Sequence, residues 1–283
     1  VLFLFKFAKF IFASAALLAV FVSCQKVEEI SEAPKTTHIV RFTTEMPTKT
    51  SYVVEGSSVK YKWEDDADKE RLHVFEDGEN EGTITEFNIN DAGELSLEVS
   101  FTGSQEGPHT YTAYLNGAVK SEQVETSAGS YDPTCDVLVA KPIQSSELDE
   151  GDAYTFYFRR PVAITELKLK GLKKGETVSK VTIVSDAAHP IAGKYTQSST
   201  DDSTGDWSES SNKIVVTFDE KTVGSDGILP LSIVTRPIKE ASVKVLVETE
   251  SGLKYRKVTA SALTLLADVV KAQGIGLTPV SEA

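Results

Sequence analysis

Residues 95–101 read Leu-Ser-Leu-Glu-Val-Ser-Phe. Side chains alternate across an extended chain with a period of two, so Leu95, Leu97, Val99 and Phe101 share one face and Ser96, Glu98 and Ser100 the other. A helix would scatter the same apolar residues around its circumference, so the stretch is read as a strand with one buried and one wet face. The signal recurs upstream: Val59, Tyr61 and Trp63 alternate with Lys60, Lys62 and Glu64, and Leu72-His73-Val74-Phe75 follows an acidic turn. Ile39-Val40-Arg41-Phe42 is a short strand with apolar residues on both faces, and Thr110–Leu115 and Asp136–Ala140 complete this half. Glu-Asp-Gly (76–78), Asp-Ala-Gly-Glu (91–94), Asn-Gly (116–117) and Ser-Ala-Gly-Ser (127–130) separate the runs and supply turn chemistry.

Residues 141–153 (KPIQSSELDEGDA) are polar and without period, which marks a boundary. Beyond it the alternation returns. Tyr154, Phe156 and Phe158 share a face, Leu167 and Leu169 oppose Glu166, Lys168 and Lys170, and Val178–Val184 is a β-branched run. Ile214, Val216 and Phe218 alternate, as do Val243, Val245 and Val247. Residues 197–212 read as a long polar loop interrupted by Trp207. The stretch 260–273 fits two patterns: an amphipathic helix through Leu263, Leu266 and Val270, or a strand at Leu263–Leu265, a turn at Ala267-Asp268 and a last strand from Val269 to Leu277. Its all-β surroundings favour strands. Frequent short strands with turn punctuation predict an all-β protein of two β-sandwich domains, residues 38–150 and 151–283.

The chain opens with Lys6 and Lys9 and an apolar run from Phe10 to Val22, broken only by Ser14. The run is shorter than the ~20 residues a membrane span needs and fits the core of a secretory signal. It closes on Val22-Ser23-Cys24, which resembles the lipobox of bacterial lipoproteins, although Phe21 stands where leucine is usual. That resemblance implies cleavage after residue 23, acylation of Cys24 and an outer-membrane protein displayed at the cell surface, attached to the membrane through lipid only. Residues 24–37 then form a flexible acidic tether. Glu28, Glu29 and Glu32 within it resemble the surface-export signal of lipoproteins of the Bacteroides group.

The chain holds 29 basic and 42 acidic residues, a net charge of −13. Loss of Lys6 and Lys9 with the signal takes this to −15. Such a balance argues against nucleic acid and against anionic head groups, both of which need clustered Lys and Arg. With Cys24 acylated only Cys135 remains, so no internal disulfide is expected and stability must come from apolar cores.

Catalytic signatures are sparse. His38, His73, His109 and His189 are scattered along the chain without Cys or His partners at metal-ligand spacing, so no metal site and no cofactor are expected. No Gly-x-Ser-x-Gly elbow, His-Glu-x-x-His pair or phosphate-cradling glycine loop occurs, and the chain is not expected to be an enzyme. The clusters Asp65, Asp66, Asp68, Glu70 and Asp201, Asp202, Asp206 lack the glycine and terminal glutamate of a twelve-residue calcium loop and read as solvated turns. Trp207 stands in a polar loop, and Tyr111, Tyr114 and Tyr131 flank turns, so Trp207 is a candidate glycan contact if its ring is free and a plug over the sandwich edge if it is not.

The order of these pieces resembles the fimbrillin-like surface lipoproteins. Thr-Lys-Thr (48–50), a strand ending in Trp63 before an acidic stretch, and Leu72-His73-Val74-Phe75 are similar to that family's opening. Phe156-Tyr157-Phe158-Arg159, Lys180–Ser185, Ile191-Ala192-Gly193-Lys194-Tyr195, Val243-Lys244-Val245 and Tyr255-Arg256-Lys257 resemble its later motifs. Asp268 replaces the usual glycine before the last strand, and Glu-Asp-Asp-Ala-Asp follows Trp63 where a compact Gly-Asp turn is usual. The resemblance implies two Greek-key, transthyretin-like sandwiches of about seven strands each. It also implies work in adhesion or as a fimbrial subunit assembled by strand addition, with other subunits or a surface receptor as partners. In such subunits an arginine early in the chain is cut. Arg41, the one arginine in the first seventy residues, is the candidate here, and Val269, Val270, Ile275 and Leu277 mark the candidate donor strand. The alternative is a glycan-binding surface lipoprotein of a polysaccharide-capture system.

Overall fold

A computed structural model describes residues 36–45, 54–55, 58–59, 63, 65–104, 106–125, 130–145, 153–197, 205–258, 263–267 and 270–280. Residues 1–35, with Cys24, the signal and nearly all of the tether, lie outside these. The first strands are β1 (Thr37–Glu45), β2 (Val54–Glu55), β3 (Ser58–Val59), β4 (Leu72–Glu76), β5 (Asn80–Glu81), β6 (Thr83–Ile89), β7 (Leu95–Thr102), β8 (His109–Leu115), β9 (Ala118–Val119) and β10 (Glu122–Glu125). Then come β11 (Leu138–Ala140), β12 (Ile143–Ser145), β13 (Ala153–Arg159), β14 (Ala163–Lys170), β15 (Thr177–Ser185), β16 (Ala192–Gln197), β17 (Gly205–Ser211) and β18 (Lys213–Thr222). The last are β19 (Ile228–Thr235), β20 (Ile238–Ala241), β21 (Val243–Thr249), β22 (Lys254–Val258), β23 (Leu263–Leu265), β24 (Val270–Gly276) and β25 (Thr278–Pro279). One α-helical turn, α1 (Asp65–Lys69), and a 3-10 turn at Pro133–Cys135 are the described helical pieces. The all-β expectation holds, and the 263–277 tail is two strands.

One nine-stranded sheet, in the order β5-β4-β8-β11-β13-β1-β7-β6 with β12 beside β8, encloses the first core. Its inward face supplies Val40, Phe42, Leu72, Val74, Leu95, Leu97, Val99, Phe101, Tyr111, Ala113, Leu115, Phe156 and Phe158, with Trp63 added from outside the strands. Residues 95–101 contribute as their alternation dictates: Leu95, Leu97, Val99 and Phe101 are all buried. One face can wrap a core only if the sheet curls. The closure is made by β5 and β6, two parts of one extended segment joined at Gly82, for β5 pairs with β4 and β6 with β7 at the opposite end. Gly82 stands where the core is tightest: a Cβ there would lie 2.3 Å from Val99 Cγ1.

The second core lies between the six-stranded sheet β10-β18-β15-β21-β22-β25 and the three-stranded sheet β19-β14-β24. Val181, Ile183, Ile214, Val216, Val245 and Val247 face Leu167, Leu169, Leu229, Leu231 and Ile233 across it. The two cores share a wall. Leu138 and Ala140 of β11 point into the first, while Val137 and Val139 point into the second. That is why Val137–Ala140 is apolar without alternation: both faces are covered. The chain crosses between cores in both directions. β13, beyond residue 150, pairs with β1 and β11, whereas β9 and β10 pair with β16 and β18. A buried bidentate ion pair, Arg160 Nε–Asp136 Oδ1 at 2.7 Å and Nη2–Oδ2 at 2.9 Å, sits beside β11, and the Tyr131 hydroxyl donates to Asp136 at 3.0 Å.

Two sequence expectations are corrected here. Residues 205–211, read as loop, form β17, antiparallel to β16. An edge strand with its outer side in water has no need of apolar alternation, so the period-two signal is missing while the main-chain ladder is present. Tyr111 and Tyr131, placed at exposed turns, are 0 % and 4 % exposed; their hydroxyls are satisfied by Glu76 and Asp136, which makes burial affordable.

Candidate functional site

β1 is the element on which the assembly expectation falls. Nine residues alternate with full regularity: His38, Val40, Phe42 and Thr44 are buried, and Thr37, Ile39, Arg41, Thr43 and Glu45 face solvent. The strand is interior to its sheet, antiparallel to β7 from Thr37↔Thr102 to Thr43↔Ser96 and parallel to β13 from Arg41↔Ala153 to Glu45↔Tyr157. Phe42 stacks on Phe156 at 4.5 Å and meets Tyr111 edge-on at 5.3 Å. Arg41 projects outward with 56 % of its side chain exposed, and its Nε donates to the directly opposite Glu98 at 2.7 Å. Its guanidinium is reachable; its peptide bond is held in a two-sided ladder.

The candidate donor segment is also paired within the chain. β24 runs parallel to β14 over seven residue pairs, from Ile164↔Val270 to Lys170↔Gly276, and forms an edge of its sheet. Ile275 and Leu277 are 4 % and 6 % exposed in the second core. Val269 lies outside the described residues, and the structure describes the backbone of Val270 alone.

Trp207, on β17, packs against the margin of the second core. Tyr195 meets it edge-on at 5.0 Å, and the Arg236 guanidinium lies 4.7 Å from its ring centroid, within cation–π range. Of the acidic clusters, Asp68 is buried and bonded to Arg71 Nη2 at 2.5 Å, while Asp201 and Asp202 lie outside the described residues. Among the described residues no helix is long and apolar enough to cross a membrane.

Sequence reasoning missed one cluster. On β4 the buried positions are Leu72, Val74 and Glu76, so Phe75 faces outward, stacked on Tyr114 at 5.6 Å, while the charged Glu76 points inward. There it meets His38 and His109, whose rings stack at 6.0 Å although the residues are remote in sequence. The one available signal was the register: Glu76 falls on the same face as Leu72 and Val74.

No family model matches the chain, and no curated protein does. Among solved structures, the chain is similar to a "putative cell adhesion protein" from Bacteroides ovatus, with 16 % identity over 87 % of this chain and 97 % of that one, and a TM-score of 0.48. It is similar to a protein of the same description from Bacteroides uniformis, with 14 % identity, coverage of 86 % and 96 %, and a TM-score of 0.45. The fimbrial anchor protein Mfa2 from Porphyromonas gingivalis aligns with 11 % identity, coverage of 78 % and 82 %, and a TM-score of 0.34.

Proposed function

We propose that this chain is a surface lipoprotein, tethered through Cys24, that works in adhesion or as a structural or accessory subunit of a fimbria, with β1 as the strand that assembly exchanges. The observation that carries the reading is the position of β1. It is the first described strand, it fills a slot between β7 and β13, and it carries the one early arginine on its exposed face. Loss of the segment that ends at Arg41 withdraws His38 and Val40 from the core and unpairs β7 from Thr102 to Glu98, while residues 42–45 keep their pairing with β13. That is the geometry which β-augmentation fills, main-chain bonds supplying affinity and inward side chains register. Burying a side chain such as Val40 contributes about 1.5–3 kcal/mol, so residues 37–41 do not leave by themselves and a cut after Arg41 is the step that frees them. An extended, apolar segment such as 269–277, released from β14 of a neighbouring copy, would supply the replacement strand.

The test is limited digestion of the purified full-length chain with an arginine-specific protease. A discrete cut after Arg41 followed by ladders of oligomers that resist mild denaturant supports exchange. A chain that remains intact, or is cut and stays monomeric, removes the strand-exchange role and leaves a stand-alone adhesin.

A further inference from the structure

Among the described residues, several buried carboxylates are neutralised by fixed cations. Asp136 has Arg160, Asp68 has Arg71, and Glu125 has Lys221. Glu76, with a side chain 5 % exposed, has none: among the described residues no lysine or arginine lies within ion-pair distance of Glu76 or of Asp77 beside it. Its partners are two histidines, a tyrosine and an amide. His38 Nε2 lies 2.9 Å from Glu76 Oε1, His109 Nδ1 3.5 Å and the Tyr111 hydroxyl 3.3 Å from the same oxygen, and Asn80 Nδ2 donates to Oε2 at 2.8 Å. Asp77 Oδ2 accepts from His109 Nδ1 at 3.0 Å. Two carboxylates thus converge on one imidazole nitrogen at a mostly buried place, and a charge so placed needs a counter-charge.

We propose that Glu76, Asp77 and His109 form a site for a first-row divalent transition metal ion such as zinc, with His38 as the residue that positions Glu76. The three ligand atoms all lie within 4.8 Å of one another. A tetrahedral ion with bonds of about 2.0–2.1 Å holds neighbouring ligand atoms about 3.3 Å apart, and the 3.0 Å and 3.5 Å separations from His109 Nδ1 bracket that value. Nitrogen plus carboxylate oxygen is a donor set for zinc or its neighbours and unlike the all-oxygen shell that calcium takes. His38 is itself oriented by the Gly103 carbonyl at 3.3 Å, and it supports Glu76 in the manner of an outer-shell donor. Access is open on one side, since Asp77 is 55 % exposed while Glu76 and His109 are 5 % and 11 % exposed. In the bound state His109 is the neutral tautomer with its proton on Nε2 and its Nδ1 lone pair on the ion; solvent completes the coordination.

The site adds β1 to a pair of strands, β4 and β8, that are already joined by a ladder. Glu76 ends β4, Asp77 begins the turn after it, His109 starts β8 and His38 stands near the start of β1. An ion there fastens the beginning of β1, through His38, to the strands across the core. This goes beyond the assembly reading and survives its failure.

The experiment is titration of tag-free, chelator-treated full-length protein with zinc chloride, followed by calorimetry and by the thermal midpoint. The expected result is one equivalent bound per chain with a raised midpoint. Asp77→Asn and His109→Ala should each weaken binding by at least about tenfold, and His38→Gln by about ten- to a hundredfold. Asp77 has φ of 52°, a conformation that asparagine adopts readily, so Asp77→Asn should keep the fold. His73→Ala is the control, because exposed His73 and Glu81 form a separate pair at 2.7 Å and should not affect the site. No stoichiometric zinc uptake by the wild-type chain would overturn the proposal. So would uptake that survives both Asp77→Asn and His109→Ala, or that is lost with His73→Ala.

Discussion

At the residue scale the sharpest sensitivity belongs to the Asp136–Arg160 pair, both side chains being 3 % exposed. A buried pair need not stabilise relative to an apolar pair, but removing one partner leaves an uncompensated charge in a poorly polarisable place. Arg160→Leu should therefore cost about 3–5 kcal/mol in urea unfolding, while exposed Arg41→Leu, which breaks only the pair with Glu98, should leave the urea midpoint close to that of the parent. Equal losses would show that Asp136 finds another partner. Cys135 gives a second expectation. It is fully buried, and burial together with nearby Asp132 pushes its thiol up to about 12. The native protein should leave Ellman's reagent unreacted at pH 8 and react in full only in denaturant; rapid native labelling would contradict the buried placement. The sequence told of a small buried residue here, because nothing around Cys135 activates a nucleophile. About Glu76 it offered the register with Leu72 and Val74 and nothing more, since the partners that mark this acid arrive from β1 and β8.

At the scale of elements the closure through Gly82 is the exposed joint of the first sheet. An alanine Cβ there would meet Val99 Cγ1 at 2.3 Å and Phe101 Cε1 at 2.6 Å, both core side chains with little room to retreat. Overpacking of this kind costs about 1–3 kcal/mol, so Gly82→Ala should lower the urea midpoint with an unchanged slope. A variant as stable as the parent would mean that β5 and β6 can separate without opening the sheet. Strands with one wet face, β7 above all, were legible because water and core impose alternation. β11 was legible as a strand, yet not as the wall between two cores, since a run buried on both faces carries no period. β9, β10 and β17 were not legible at all: two-residue or edge strands are held by main-chain bonds, and those leave no mark on side-chain chemistry. Nor does local pattern report that β13 returns to pair with β1, because parallel neighbours are joined through distant chain. Of the candidate assembly elements, the position of Arg41 on the outer face followed from the alternation of residues 39–42.

At the scale of the molecule the excess of 42 acids over 29 bases sets how the fold meets acid. Four carboxyls are held below their ordinary values of 3.8 for aspartate and 4.5 for glutamate. Asp186 is held by His189 first and then by the Ser242 amide, Glu176 by Lys173 and Ser251, and Glu248 by Lys180. For Asp77 burial pulls upward, but hydrogen bonds from His109 and the Thr110 amide outweigh it. A depressed folded value means that the unfolded chain takes up protons first as pH falls. The stability these groups contribute is thus complete above about pH 5 and drains away as pH drops through 4 and below. Asp77 is mostly exposed and Asp186 and Glu248 are partly so, so much of the effect is screened and should shrink in added salt. Protonation also carries the chain from net negative through neutrality to net positive, so the repulsion that keeps copies apart at neutral pH is weakest near its isoelectric point of about 4.9. Chelator-treated protein should hold a constant urea midpoint from pH 7 to about 5, lose it steeply below about 4.5, and associate most readily between those limits. A midpoint that already falls between pH 7 and 6 would show that groups other than these four carboxyls set the response of the fold to acid.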